Sequence, residues 1–277
     1  MSVILNGSSQ YLSVAQAVLT ANPLTIAAWF KSTSQTAEQC IASVGVSGAN
    51  TCLGRVKAHG ATTGDPVQAE TRTATLGSVA ATTTAYTANT WHHACGVFTS
   101  NTSRDAFIDG GSKGSSTVSR IGSADQFIVG AAGALGLLFA GNIAHVAVWN
   151  IALSDGDVAT LAAGADPQTI QAGNLVAYWT LSSDGSPTVG ALTLVATGSP
   201  TFDAGDDPIS AYIDAEATIV GTGAIVATGE TAETVEAAAS ITGTGSVTAY
   251  ATANLINTNN RIILVALGHD ELWFEDS

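Results

Sequence analysis

The chain has 277 residues with eight Lys and Arg against 22 Asp and Glu, a formal charge of −14, and only 11% charged residues beside 46% hydrophobic ones. Three lysines and five arginines cannot neutralise a phosphate backbone, so nucleic acid and anionic membrane are excluded as direct partners. The length admits one large β domain and a smaller one, and the abundance of Gly, Ala, Thr and Ser fits close-packed strands and tight turns rather than disorder.

The chain opens on Met1-Ser2-Val3-Ile4-Leu5, which enters a strand directly and carries neither a basic n-region nor an apolar h-region. No secretory route is expected, and the sequons at Asn6 and Asn101 are read as polar turns. Pro23 then precedes LTIAAWFK (24–31), whose alternation sets Leu24, Ile26, Ala28 and Phe30 on one face and Trp29 on the other, the pattern of a half-buried strand. Cys40, Cys52 and Cys95 match neither a zinc site nor a CxxC pair and are expected to be buried, reduced thiols, as in a reducing cytoplasm.

In WHHACGVF (91–98), His92 and His93 point to opposite faces and cannot grip one ion together; one of them is expected to be a hydrogen-bonded core histidine, as is His145. RDAFIDGG (104–111) ends in Asp109-Gly110, which tolerates the positive φ angles of a tight turn and predicts a hairpin over 104–121. Ser154 with Asp157 forms a capping box that opens one short helix, with Val158 and Leu161 inward and a stop at Gly164. GNLVAYWTL (173–181) reads as a further strand, and TGSPTFDAGDDP (197–208) as a linker or final loop.

Beyond the linker the character changes: twelve acids face the single base Arg261 from Asp203 onward. ATIVGTGAIVA (217–227) and ASITGTGSVTA (239–249) repeat at an offset of 22 and predict a duplicated hairpin. So thin a core calls for company, and the apolar residues Ile262, Ile263, Leu264, Leu267, Leu272, Trp273 and Phe274 are the expected subunit contact. The predicted organisation is thus an all-β sandwich over residues 1–207 with one short helix, and a small acidic β domain over 208–277.

Taken in order, LNGSSQYLSV (5–14), PLTIAAWFK, WHHACGVF, AFIDG, IGSADQFIVG (121–130), FAGNIAHVAVWNIALS (139–154) and LVAYWTLSSDGSPTVGALTLVATGSPTF (175–202) resemble laminin-G-like, concanavalin-A-like lectin jelly rolls. The resemblance implies that the first and last segments close the sandwich, bringing the regions of Tyr11 and Trp179 together, and that Trp29, Trp91, Trp149 and Trp179 are packing residues, leaving loops such as 45–66 or 99–104 for glycan contact. Calcium is the usual ion of such relatives, but Asn101, Asp105, Asp109 and Asp125 lack a ligand spacing. No catalytic residues and no cofactor are expected. Asp155 and Asp157 are better used at a helix start, and Asp270, Glu271, Glu275 and Asp276 lie in the acidic tail, so the chain is not expected to be an enzyme.

The expected role is a non-enzymatic structural protein of a tailed-bacteriophage virion, a capsid decoration, fibre or spike subunit assembled in the host cytoplasm. It would bind capsid or tail proteins and sister subunits through the C-terminal unit, as a trimer by analogy with fibres. The alternative is a bacterial carbohydrate-binding module or adhesin with a glycan ligand.

Overall fold

The computed structural model describes residues 1–203 and 205–209, together with the strands 215–218, 237–240, 253–258 and 261–266. The chain divides into two compact units, Met1–Pro208 and Ile209–Ser277.

The first unit is a sandwich of two antiparallel sheets. Its strands are β1 (Ser2–Asn6), β2 (Tyr11–Val14), β3 (Leu24–Ser32), β4 (Glu38–Gly45), β5 (Cys52–His59), β6 (Pro66–Arg72), β7 (Gly77–Ala85), β8 (His92–Ser100), β9 (Ser103–Ile108), β10 (Gly111–Ser116), β11 (Gln126–Val129), β12 (Ala140–Trp149), β13 (Leu175–Trp179), β14 (Val195–Thr197) and β15 (Thr201–Asp203), with the helix α1 (Asp155–Ala162). One sheet runs β10-β9-β8-β3-β12-β1-β15, with β13 also on β12; the other runs β14-β2-β11-β4-β5-β6-β7. Neighbours far apart in sequence, such as β3 between β8 and β12, give the jelly-roll connectivity.

The first and last segments do close the sandwich: Val3 pairs with Phe202 and Tyr11 with Thr197. Tyr11 and Trp179 lie in different sheets, linked by Phe127, which pairs with Val14 and stacks on Trp179 at 4.9 Å. Leu24, Ile26, Ala28 and Phe30 enter the main core as expected, together with Leu12, Val56, Phe98, Val129, Ile143 and Trp179.

The half-buried strand needs correction, because β3 is covered on both faces. A second core lies outside the eight-stranded sheet, where Ala27, Cys95, Val97, Phe107, Ala147 and Trp149 meet Val158 and Leu161 of α1. The helix holds this place through its cap: the Ser154 hydroxyl accepts the Asp157 N–H and the Asp157 carboxylate accepts the Ser154 N–H. The β9–β10 hairpin turns on Asp109 and Gly110, at φ +49° and +73°, and ends at Ser116, short of the predicted 121. A Cβ on Gly110 would stand 2.8 Å from Ala159 Cα, so close approach to α1 and backbone conformation both require glycine there.

In the second unit, β16 (Ala215–Thr218), β17 (Ala237–Ser240), β18 (Ala253–Thr258) and β19 (Arg261–Ala266) form one sheet in the order β16-β17-β19-β18. The starts of the two repeat copies pair parallel and in register, Ala215 with Ala237 through Thr218 with Ser240, so each residue faces its equivalent 22 positions on. The turns of the predicted hairpins, 221–223 and 243–245, lie outside the described residues.

Candidate functional site

Three of the seven expected contact residues lie among the described residues. Ile262, Ile263 and Leu264 lie on β19, where Ile263 pairs with Ala238 and Ile256. Leu267, Leu272, Trp273 and Phe274, like Asp270, Glu271, Glu275 and Asp276, fall outside the described residues. The oxygen-bearing candidates are scattered and each has its own partner. Asn101 accepts from Asn22 and Asp125 from the Ser47 N–H, Asp105 pairs with Lys113, and Asp109 meets His92. Among the described residues no cluster of three His, Cys, Asp or Glu side chains forms a metal site. Asp155 binds Lys113 at 2.9 Å and Asp157 caps α1, so neither carboxylate is held for chemistry.

The aromatic and histidine expectations split. Trp149 and Trp179 are fully buried, their indole N–H groups donating to the carbonyls of Ile170 and Leu192. Trp29 and Trp91 are instead half-buried on the outer face of the eight-stranded sheet, because they alternate away from the core. There Trp29 meets His93 edge-on, while the Trp91 indole donates to Asp206 at 2.7 Å and lies under the Lys31 ammonium. Asp206 also pairs with Lys31 and accepts from Asn142, so the segment after β15 is strapped across that sheet. His145 is a hydrogen-bonded core histidine as expected, with Nδ1 2.7 Å from the Tyr178 hydroxyl and Nε2 2.8 Å from Asp207. A bulge between Ala144 and Ala147 sets His145 at φ +49° and aims its ring at these partners.

The hydrogen-bonded core histidine expected at 92 or 93 is divided between the two residues. The buried ring, His93, has no partner at Nδ1, and burial holds its pKa down at about 4 against the pull of Asp109. The hydrogen-bonded ring is the half-buried His92, between Asp109 Oδ2 at 2.7 Å and Thr87 Oγ1 at 2.9 Å. This Asp–His–Thr line has the outline of a nucleophile triad. His92 Nε2, however, already accepts the Thr87 backbone N–H at 3.0 Å, which engages its lone pair in fixing the turn. The three thiols are buried and free as predicted, and burial pushes Cys40 up to about 12 and Cys52 to about 11.

The densest polar chemistry lies where no single motif marks it, on the outer face of the seven-stranded sheet. Val56 and Ala58 of β5, and Val67 and Ala69 of β6, point into the core; the alternate residues Arg55, Lys57, Gln68, Glu70 and Arg72 therefore point outward. Register sets Ser43 opposite Arg55 and Arg55 opposite Glu70, while Lys57 lies opposite Gln68. Glu70 Oε2 accepts from Arg55 Nε at 3.0 Å and Nη2 at 2.8 Å and pairs with Lys57 Nζ at 2.6 Å. Lys57 also reaches Glu38 at 2.5 Å, and Arg72 reaches Glu70 Oε1 at 3.3 Å.

Burial alone would raise the Glu70 pKa, but Lys57 and Arg55 overcome it and hold the carboxyl down at about 2. Gly77 makes the arrangement possible, since a Cβ there would stand 2.3 Å from Glu70 Oε1. Around this ion lattice four polar atoms are buried without a partner: Ser43 Oγ, Gln68 Oε1, Gln126 Nε2 and Arg72 Nε. The stretch 45–66, expected as a loop, contains β5 and contributes strand residues to this face.

A model of the concanavalin A-like lectin/glucanases superfamily, laminin-G type, matches residues 6–159, more than half of the chain. The chain belongs to this superfamily. A search of curated protein sequences found no match. Among solved structures, a candidate carbohydrate-binding protein of Bacteroides ovatus shares the fold at TM-score 0.52 and 15% identity, over 72% of this chain and 58% of its own. The chain thus spans little more than half of that protein. A heptameric SAP-like pentraxin of Limulus polyphemus matches at TM-score 0.49 and 15% identity, over 58% of this chain and 81% of its own. The CBM40 of a Ruminococcus gnavus sialidase matches at 0.45 and 17%, over 58% and 97%.

Proposed function

We propose that this superfamily member is a non-enzymatic binding protein that reads saccharide with the outer face of its seven-stranded sheet. The observation that carries this reading is the gathering of Ser43, Gln68, Arg72 and Gln126, each with an unsatisfied polar atom, around one ion lattice. Native structures rarely leave buried polar groups unpaired, and hydroxyl-rich ligands supply both donors and acceptors. The superfamily of lectins and glucanases makes saccharide the first ligand class to test. On the glucanase side, Glu38 and Glu70 are both engaged by Lys57, and Glu70 is held ionised, which suits it to neither proton donation nor attack.

A glycan array probed with the full chain tests the reading. Retention that falls on Arg72→Gln and Gln126→Ala supports it; no retained sugar at high protein concentration sinks it.

The setting we propose is a tailed-bacteriophage virion, with the chain as a capsid decoration, fibre or spike subunit. In this reading Ile262, Ile263, Leu264, Leu267, Leu272, Trp273 and Phe274 contact sister subunits or the particle, and the sandwich is displayed. The support is the duplicated, single-base, acidic segment joined to a lectin-like body. Mass spectrometry of purified particles should find the chain in stoichiometric amount; its absence defeats the assignment. Sedimentation of the chain cut after Asp207 should show loss of the native oligomer, and an unchanged oligomer places the contact elsewhere.

A further inference from the structure

We propose that the saccharide taken by this face is acidic and that Arg72 binds its carboxylate, an inference that rests on the face being a glycan site. The face is locally cationic in a chain of net charge −14: Arg55, Lys57 and Arg72 stand against Glu38 and Glu70, three of the eight basic residues gathered on one patch. Two of the three cations are spent. Arg55 and Lys57 are each 3% exposed and converge on Glu70 Oε2.

Arg72 differs in each respect. Its side chain is 27% exposed, its contact with Glu70 is the longest of the set at 3.3 Å, and its Nε has no partner. A guanidinium has the planar fork that matches a carboxylate with two parallel bonds. The surrounding floor suits a ring. Cross-strand register runs Gln126, Gly45, Cys52, Arg72, so only a glycine and a cysteine lie between Gln126 and Arg72. Those two side chains stand three strand spacings apart, about 14 Å. Gln126 brings an unpartnered Nε2 donor, and Ser43 a free hydroxyl beside it. The overall negative charge repels a polyanion but leaves one carboxylate, met by local positive charge, acceptable.

The experiment is calorimetric titration of the full chain with matched pairs: trigalacturonate against its methyl ester, and sialyllactose against lactose. At least one acid should bind tenfold or more tightly than its neutral counterpart, with the difference shrinking as salt rises. Arg72→Gln should bring the acid down to the level of the neutral sugar. Gln126→Glu, which leaves Arg72 and its neighbours intact and sets a second carboxylate opposite it, should do the same. Acid and neutral forms bound equally, or an acid preference that survives both substitutions, overturns the carboxylate inference and leaves the glycan reading standing. Binding of no member of either pair overturns both.

Discussion

Glu70→Gln is the sharpest perturbation of the ion lattice, because it removes the charge and keeps the shape. In the wild type one oxygen receives Arg55 at 3.0 and 2.8 Å and Lys57 at 2.6 Å, and all three residues are at most 3% exposed. Holding the Glu70 carboxyl near 2 rather than 4.5 is worth roughly 3 kcal/mol at neutral pH, at about 1.4 kcal/mol per unit. Leaving buried Arg55 without a counter-charge, and Lys57 with Glu38 alone, costs on the order of 3–5 kcal/mol, so the variant should melt about 6–12 °C lower or more for a domain of this size. The assay is urea unfolding followed by tryptophan fluorescence. The folded pKa is depressed, so the wild-type advantage is complete above about pH 4.5 and is lost as pH falls toward about 2, where the two proteins should converge. High salt should change the gap little, because the pair is sequestered from ions. Equal stability at pH 7, or a gap that persists unchanged at pH 2, refutes the reasoning.

Three other outcomes follow from named contacts. His93, held neutral at about 4 by burial, should make the sandwich lose stability as pH drops from about 6.5 to 4, a window above that of Glu70, and His93→Gln should flatten it in pH-resolved unfolding curves. Ser154→Ala removes the reciprocal cap of α1 and should cost about 1 kcal/mol in the same assay. Cys40, Cys52 and Cys95 should resist Ellman's reagent in the native protein and react at three sites in denaturant; fast native reaction would contradict their burial.

The elements with local signals were legible in the sequence. Ser154 with Asp157, Asp109 with Gly110, and the alternation of Leu24 to Phe30 each depend on neighbours a few residues away, and the structure repeats them. What escaped depended on pairing between distant strands. The outer core is invisible until α1 folds over Cys95 and Phe107, and Trp29 and Trp91 look like core residues until strand faces are assigned. The ion lattice did leave a trace: Arg55, Lys57 and His59 alternate in one segment and Gln68, Glu70 and Arg72 in the next. Read as two strands of a hairpin, these complementary charges predict one polar face; read singly, they look like solvated positions. The parallel pairing of the repeat has the same origin, since an offset of 22 fixes equivalence but not direction.

The strap at Asp206 and Asp207 has a mechanical consequence. A pull on the polypeptide past Pro208, without those side chains, would bear on β15, a three-residue edge strand that unzips one bond at a time. With them, tension passes through Lys31, Trp91, Asn142 and His145 into β3, the start of β8, and β12, and loads the middle of the sheet all at once. A tether anchored in this way resists tearing far better than its length suggests.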